Sequence, residues 1–220
     1  MSYATILVHV DVDGELGGRV QVAASLADRF HSDLIGAAAW MPKPAFAVEG
    51  VIIDPEPTDA DYEEMRATLS VRGKDFRTAA GAGRREVEWR SSLEFPTEYI
   101  AREARAADLL VMGRDRKQYD PYRSTDAGAL ILRVGRPVLV VPPNVRTIDT
   151  KRVVVAWKDV REARRALLDA LPFLHDAREV VLVEFCDADD RQKAQGRLKD
   201  VADYLARHRI TTVTERSEEH

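Results

Sequence analysis

The chain holds one cysteine, Cys186, in 220 residues. A single thiol excludes an intramolecular disulfide framework and provides no zinc-ligand spacing. Long apolar runs are missing as well: none approaches the roughly 20 residues of a membrane span. Basic charge is not in surplus, since 33 Lys and Arg face 37 Asp and Glu for a net charge of -4. Nucleic acid and membrane are therefore not expected partners. The opening "MSYATILVHVDVD" has no basic leader and enters an apolar strand almost at once, unlike a signal peptide. With no disulfides to form, a cytoplasmic location is the expectation. Glycine is short where an α/β protein most uses it. "VMGRDRKQYDPYRSTDAG" (111 to 128) joins two apolar segments as a phosphate loop would, yet holds no glycine between Gly113 and Gly128.

What is present is an ordinary globular mixture, 45% hydrophobic and 32% charged. "TILVHVD" (5 to 11) is a continuous β-branched run, as in a strand buried on both sides of a parallel sheet, ending at Asp11. "GGRVQVAASLADRF" has helical spacing, and "DLIGAAAW" (33 to 40) is a second strand. Residues 41 to 60 carry four prolines and are expected to form a long loop. A charged helix (61 to 80), the strand "EVEWRS", the helix "PTEYIAREARAA" with proline at its first position, and the strand "DLLVMG" follow. The helix "DAGALILRVG" and the strand "PVLVVPP" close this part. Strands alternating with helices predict an open parallel sheet with right-handed crossovers and helices on both faces, a Rossmann-like α/β class. Ligands bind such sheets beyond the carboxyl ends of strands where strand order reverses, which makes Asp11 and Gly113 the lips of one crevice.

After the polar linker "NVRTIDTK" (144 to 151) the pattern repeats. "ILVHVDVDG" aligns on "VVVAWKDVR", and the same shift carries "DLIGAA" onto "VVLVEF" without a gap. Lys158 falls on Asp11, with Asp159 beside it. The helix "RLKDVADYLARHR" and the strand "ITTVTE" follow. The expected domains are therefore residues 1-145 and a partial copy, 151-220, of β-α-β-α-β form, lacking the last two strands.

These motifs in this order, "ILVHVD" with Asp11, "ADLLVMG" with Gly113, "RPVLVVP", and "RVVVAWKDVREARRALLDALPFL" opening the second part, resemble the universal stress protein family in its tandem-domain form. The resemblance implies a five-stranded parallel sheet of order 3-2-1-4-5, a stress-response role and dimer-like pairing of domains. It also implies an adenine-nucleotide crevice for ATP or AMP, with Mg entering only alongside the nucleotide. Its nucleotide-binding members resemble each other in a motif of Gly, two residues, Gly, nine residues, Gly, then Ser or Thr. The glycines let backbone approach phosphate oxygens, and amides and a hydroxyl donate to them. Here Gly113 matches the first glycine, Arg116 replaces the second, Ser124 the third, and Thr125 supplies the hydroxyl in a loop two residues shorter. The loop is a degenerate one, and the implied ligand set is Asp11, Ala38, Met112, Gly113, Arg116, Ser124 and Thr125.

Several residues keep two readings. Asp11 accepts hydrogen bonds from a base or ribose, or caps a nearby turn. Arg114, Arg116, Lys117 and Arg123 attract phosphate, or form a solvated loop neutralised by Asp115, Asp120 and Asp126. Ser124, Thr125 and Asp126 are also N-cap candidates for the next helix, using the same amides that would hold phosphate. His9 is expected in the core; His31, His175 and His208 lie near helix ends; Cys186 ends a strand and is expected to be inert or mildly exposed; Trp89 and Trp157 are packing residues. "GAGRRE" (81 to 86) precedes a strand and is expected to be a helix stop. No positioned general base or nucleophile pair suggests catalysis. The expected function is non-catalytic nucleotide binding with oligomerisation; the alternatives are a nucleotide-independent scaffold of the same fold and an ATP hydrolase. The partial second sheet has to be covered by the first domain, further residues or another chain, so a homo-oligomer, specifically a dimer, with protein partners of unknown identity, is expected.

Overall fold

A computed structural model describes residues 2–13, 16–48, 51–81, 86–113 and 119–218. The chain divides into two compact units, Tyr3–Thr147 and Ile148–His220. The first contains, in chain order, β1 (Thr5–His9), α1 (Gly17–Phe30), β2 (Asp33–Ala39), β3 (Phe46–Val48), β4 (Val51–Asp54), α2 (Asp59–Ala80), β5 (Val87–Ser92), α3 (Pro96–Glu103), β6 (Leu109–Gly113), α4 (Ala127–Arg133) and β7 (Val138–Val141). Five of its strands form one parallel sheet in the order β5-β2-β1-β6-β7. Counting only those five strands along the chain, this is the order 3-2-1-4-5. Consecutive strands step outward from β1 on one side and from β6 on the other, so the order reverses between β1 and β6.

Continuous apolar strands make this sheet because helices cover both of its faces. Ile6, Leu7 and Val8 of β1 are all fully buried, each contributing roughly 1.5–3 kcal/mol by leaving water. Strand alternation then sorts side chains between two layers. Leu7, Ile35, Ala37, Ala39, Leu110 and Met112 join Tyr99, Ile100, Ala127 and Leu130 in a core with α3 and α4. Gly36 has the opposite parity; a Cβ there would lie 2.6 Å from the Phe76 ring of α2. Asp108 accepts the amides of Ala4 (2.8 Å) and Thr5 (3.0 Å), fixing where β1 begins.

Two boundaries differ from the sequence reading. β1 ends at His9 and Asp11 lies two residues beyond, although Val10 still donates to the Ala37 carbonyl at 2.8 Å. Residues 41 to 60 are not one long loop. β3 and β4 pair antiparallel, Val48 opposite Val51, and α2 starts at Asp59 behind a capping box of Thr58 and Asp61. The prolines flank these short strands and so obscured them. "GAGRRE" lies mostly outside the described residues; Gly81, its first residue, is the C-cap of α2 with φ 75.

The second unit contains β8 (Arg152–Trp157), α5 (Arg161–Asp169), α6 (Leu171–Asp176), β9 (Glu179–Cys186), α7 (Arg191–Arg207) and β10 (Thr212–Glu218). Its three strands are parallel in the order β10-β9-β8. Trp157, Leu167, Leu171, Leu174, Leu182, Leu198 and Leu205 form a core of its own. The ungapped repeat is corrected by register. β1 sets Ile6 beside Leu34, whereas β8 sets Val153 beside Val180 rather than Val181. The second crossover is thus one residue shorter. It is also broken into α5 and α6 next to Pro172, which lacks the amide a continuous helix would use. Among the described residues no helix is long and apolar enough to cross a membrane.

Candidate functional site

The crevice is built where the sheet order reverses. From the β1 side come His9 at the strand end and Asp11 beyond it; from β6 comes Gly113; from the loop before α4 come Tyr119, Ser124, Thr125 and Asp126; and α1 sends in Arg19. These residues line one cavity of ≈ 210 Å³. A wider, open cleft of ≈ 810 Å³ adjoins it, sharing Tyr119 and Ser124, and is lined further by Asp13, Lys43, Phe46, Tyr122 and Arg123.

The loop before α4 owes its shape to local chemistry. Asp120 accepts the Tyr122 amide at 3.0 Å through its side chain, and its carbonyl accepts from Arg123 (3.1 Å) and Ser124 (2.7 Å). Pro121 stands second in this turn, where its fixed φ fits. The turn is tied to the chain after β2: Met41 donates to the Tyr122 carbonyl at 2.8 Å, and Lys43 pairs with Asp120 at 3.4 Å. Asp126 then caps α4, accepting from the Ala129 amide at 2.9 Å, while its own amide donates to Thr97 Oγ1 at 3.0 Å. Capping therefore falls to Asp126 and does not consume the hydroxyls of Ser124 and Thr125.

Inside the cavity Asp11 pairs with Arg19, both side chains mostly buried. His9 Nε2 stands 3.8 Å from Asp11 Oδ1, and His9 Nδ1 lies 3.4 Å from Thr125 Oγ1. His9 is thus a buried residue that also lines the site, since β1 ends there. Arg19 lies across Gly113: a Cβ on Gly113 would be 2.7 Å from Arg19 Nη1. In this structure the glycine leaves room for a guanidinium.

Asp11, Gly113, Ser124 and Thr125 therefore line one cavity. Ala38 and Met112 do not line the cavity. Met112 points into the core with Leu110 and Ala127, and Ala38 is wholly buried with the parity of Gly36. Arg116, together with Arg114, Asp115 and Lys117, lies outside the described residues. Arg123 is not a phosphate-attracting guanidinium held out to solvent. It pairs with Asp13 at 2.6 Å, its guanidinium lies over the Trp40 ring at 4.2 Å, and its Nε is buried with no hydrogen-bond partner among the described residues. Sequence reasoning missed Arg19, whose only signal is its position in the first turn of the helix following Asp11. Among the described residues no three His, Cys, Asp or Glu side chains converge as metal ligands would.

No protein-family model matches this chain, and no curated protein matches it by sequence. Among solved structures, a universal stress protein from Archaeoglobus fulgidus DSM 4304 superposes with a TM-score of 0.68 at 12% identity, over 99% of this chain and 79% of that one. The chain has the universal stress protein fold. Two further universal stress proteins match less of it. One, in complex with cAMP, has a TM-score of 0.45 and 21% identity over 65% of this chain and 99% of its own. The other, from Archaeoglobus fulgidus in complex with dAMP, has 0.41 and 22% over 64% and 98%. In universal stress protein terms, the first unit carries the five-stranded sheet, with the His9–Asp11–Arg19 group at its order reversal.

Proposed function

We propose that this protein is a non-catalytic binding protein of the universal stress type, whose first unit takes an adenine nucleotide, AMP or ATP, in the Asp11 crevice. The observation that carries the reading is the convergence of Asp11, Gly113, Ser124 and Thr125 on one cavity beyond β1 and β6, with both hydroxyls left out of helix capping. Asp11 would accept from the base or ribose, and the hydroxyls would donate to phosphate. Any Mg would arrive with the nucleotide. The cavity of ≈ 210 Å³ is smaller than the roughly 300–1,000 Å³ of most small-molecule sites. The nucleotide therefore has to extend into the adjoining cleft. Titration calorimetry with AMP and ATP should show saturable binding that Asp11→Ala and a bulky Gly113→Val both weaken; no heat with either ligand at several temperatures sinks the reading.

A nucleotide-independent scaffold of the same fold is the second reading, favoured by the smallness of that cavity. The second unit serves either reading as a partial tandem copy that mediates assembly. Val154, Phe185 and Val213, on one face of its sheet, are exposed, and burying them against a second copy would form a dimer. Light scattering checks this, and a monodisperse monomer across concentrations would rule the dimer out.

A further inference from the structure

The geometry points to the Arg19–Asp11 pair as a latch across the crevice, one that selects ligands carrying both a hydrogen-bond donor edge and an anionic group. This rests on the nucleotide reading above and deepens it. Arg19 comes from α1, Asp11 from the chain just beyond β1 and Gly113 from the end of β6, so one guanidinium reaches the carboxyl-end side of both strands between which the sheet order reverses. Its side chain is 11% exposed and that of Asp11 14%. At that depth, leaving either charge without a partner is costly. A ligand that engages Asp11 through an amino or hydroxyl donor has to displace Arg19. A ligand that engages Arg19 through an anion draws the guanidinium away from Asp11. A nucleoside alone satisfies Asp11 and strands the guanidinium; inorganic phosphate alone takes the guanidinium and leaves the donor edge that Asp11 accepts unsupplied. A nucleotide replaces both partners in one event.

The rest of the crevice sharpens this requirement. Among the described residues, Asp11 and Asp126 place two carboxylates on the cavity wall beside Arg19, so an anion meets that guanidinium best when Arg19 turns towards it. The guanidinium is suited to that change, having five donors in a planar fork that fits carboxylate and phosphate oxygens alike. His9 Nε2 faces the other carboxylate oxygen of Asp11, Oδ1, at 3.8 Å, and Thr125 Oγ1 lies 3.4 Å from His9 Nδ1, so Asp11 has a neighbour other than Arg19 when Arg19 swings. Gly113 has a defined part: with no Cβ it lets Arg19 lie in the closed position.

Calorimetry with AMP, adenosine and inorganic phosphate tests the latch on the full chain and on Arg19→Met and Arg19→Lys. The unsubstituted protein should prefer AMP over adenosine, and over phosphate, by about tenfold or more in Kd. Arg19→Met should bind adenosine more tightly than the unsubstituted protein and lose most of the AMP preference, while Arg19→Lys should keep part of it. An AMP-to-adenosine ratio unchanged by Arg19→Met overturns the proposal. A ligand-independent arm uses thermal unfolding of Asp11→Asn, Arg19→Met and the double variant, where the double loss in Tm should be smaller than the two single losses together. Additive losses overturn the latch even where AMP binds, and then the nucleotide reading stands without it. Non-additive losses with no AMP or adenosine binding to any variant overturn ligand selection and the nucleotide reading together.

Discussion

Single side chains decide what the crevice does. Arg123 joins three segments distant in sequence: its own turn, Asp13 beyond β1 and Trp40 beyond β2. A lysine keeps the charge but not the planar fork or its stacking on the indole. Arg123→Lys should therefore loosen these loops, with raised hydrogen exchange at Tyr122 and Ser124 and little change in global stability; unchanged exchange would show that the arginine ties nothing. Glu94 shows how pH acts on the same side of the sheet. Hydrogen bonds from Arg102 and then Ser92 hold its carboxyl at about 2, below the ordinary 4.5. Because the folded value is depressed, its contribution is present above pH 4.5 and is lost as pH falls towards 2. The pair is solvent-exposed, so it is worth no more than about 1 kcal/mol. Urea titrations of Glu94→Gln should show a small deficit near pH 6 that vanishes near pH 2.

Elements transmit these local choices through packing. β2 runs between β5 and β1 with small residues, Gly36, Ala37, Ala38 and Ala39. The gap at Gly36 is filled by Phe76, which also packs on Trp89 at 5.7 Å between ring centres. A methyl at Gly36 meets the ring within 2.6 Å, and overpacking of this kind costs about 1–3 kcal/mol. Gly36→Ala should lower the denaturation midpoint by a corresponding amount, whereas Gly128→Ala, whose nearest neighbour is the Asp126 carboxylate at 3.3 Å, should cost less. The β3–β4 hairpin and the chain before it wall the larger cleft through Lys43 and Phe46.

At the scale of the whole molecule, two units each carry a closed core. Separate cores predict unfolding that departs from a single two-state transition. Calorimetric enthalpy should exceed the van't Hoff value, and Leu171→Ala, fully buried in the second unit, should shift one component by about 2–5 kcal/mol of stability and leave the other. One cooperative transition moved as a whole by Leu171→Ala would show that the units unfold together.

The parallel class of the first sheet was legible in the sequence because it rests on local facts, whereas its strand order came from the family resemblance. "TILVH", "LLVMG" and "VLVV" are runs too apolar to lie anywhere but between two helical layers, and right-handed crossovers leave few orders for them. The address of the crevice followed, because Gly113 ends one of those runs and Asp11 lies two residues beyond another. The tertiary structure alone decided which side chains meet there. Periodicity says that Arg19 lies in the first turn of a helix, but not that its guanidinium reaches across Asp11 and Gly113. Composition shows Arg123 in a basic loop, yet its partners Asp13 and Trp40 come from other strands' ends. The one-residue change of register between β8 and β9 likewise leaves no mark on an ungapped repeat. Such contacts depend on side-chain direction and long-range register, which backbone propensity does not encode, and they set the Arg19–Asp11 pair against Gly113 in the crevice.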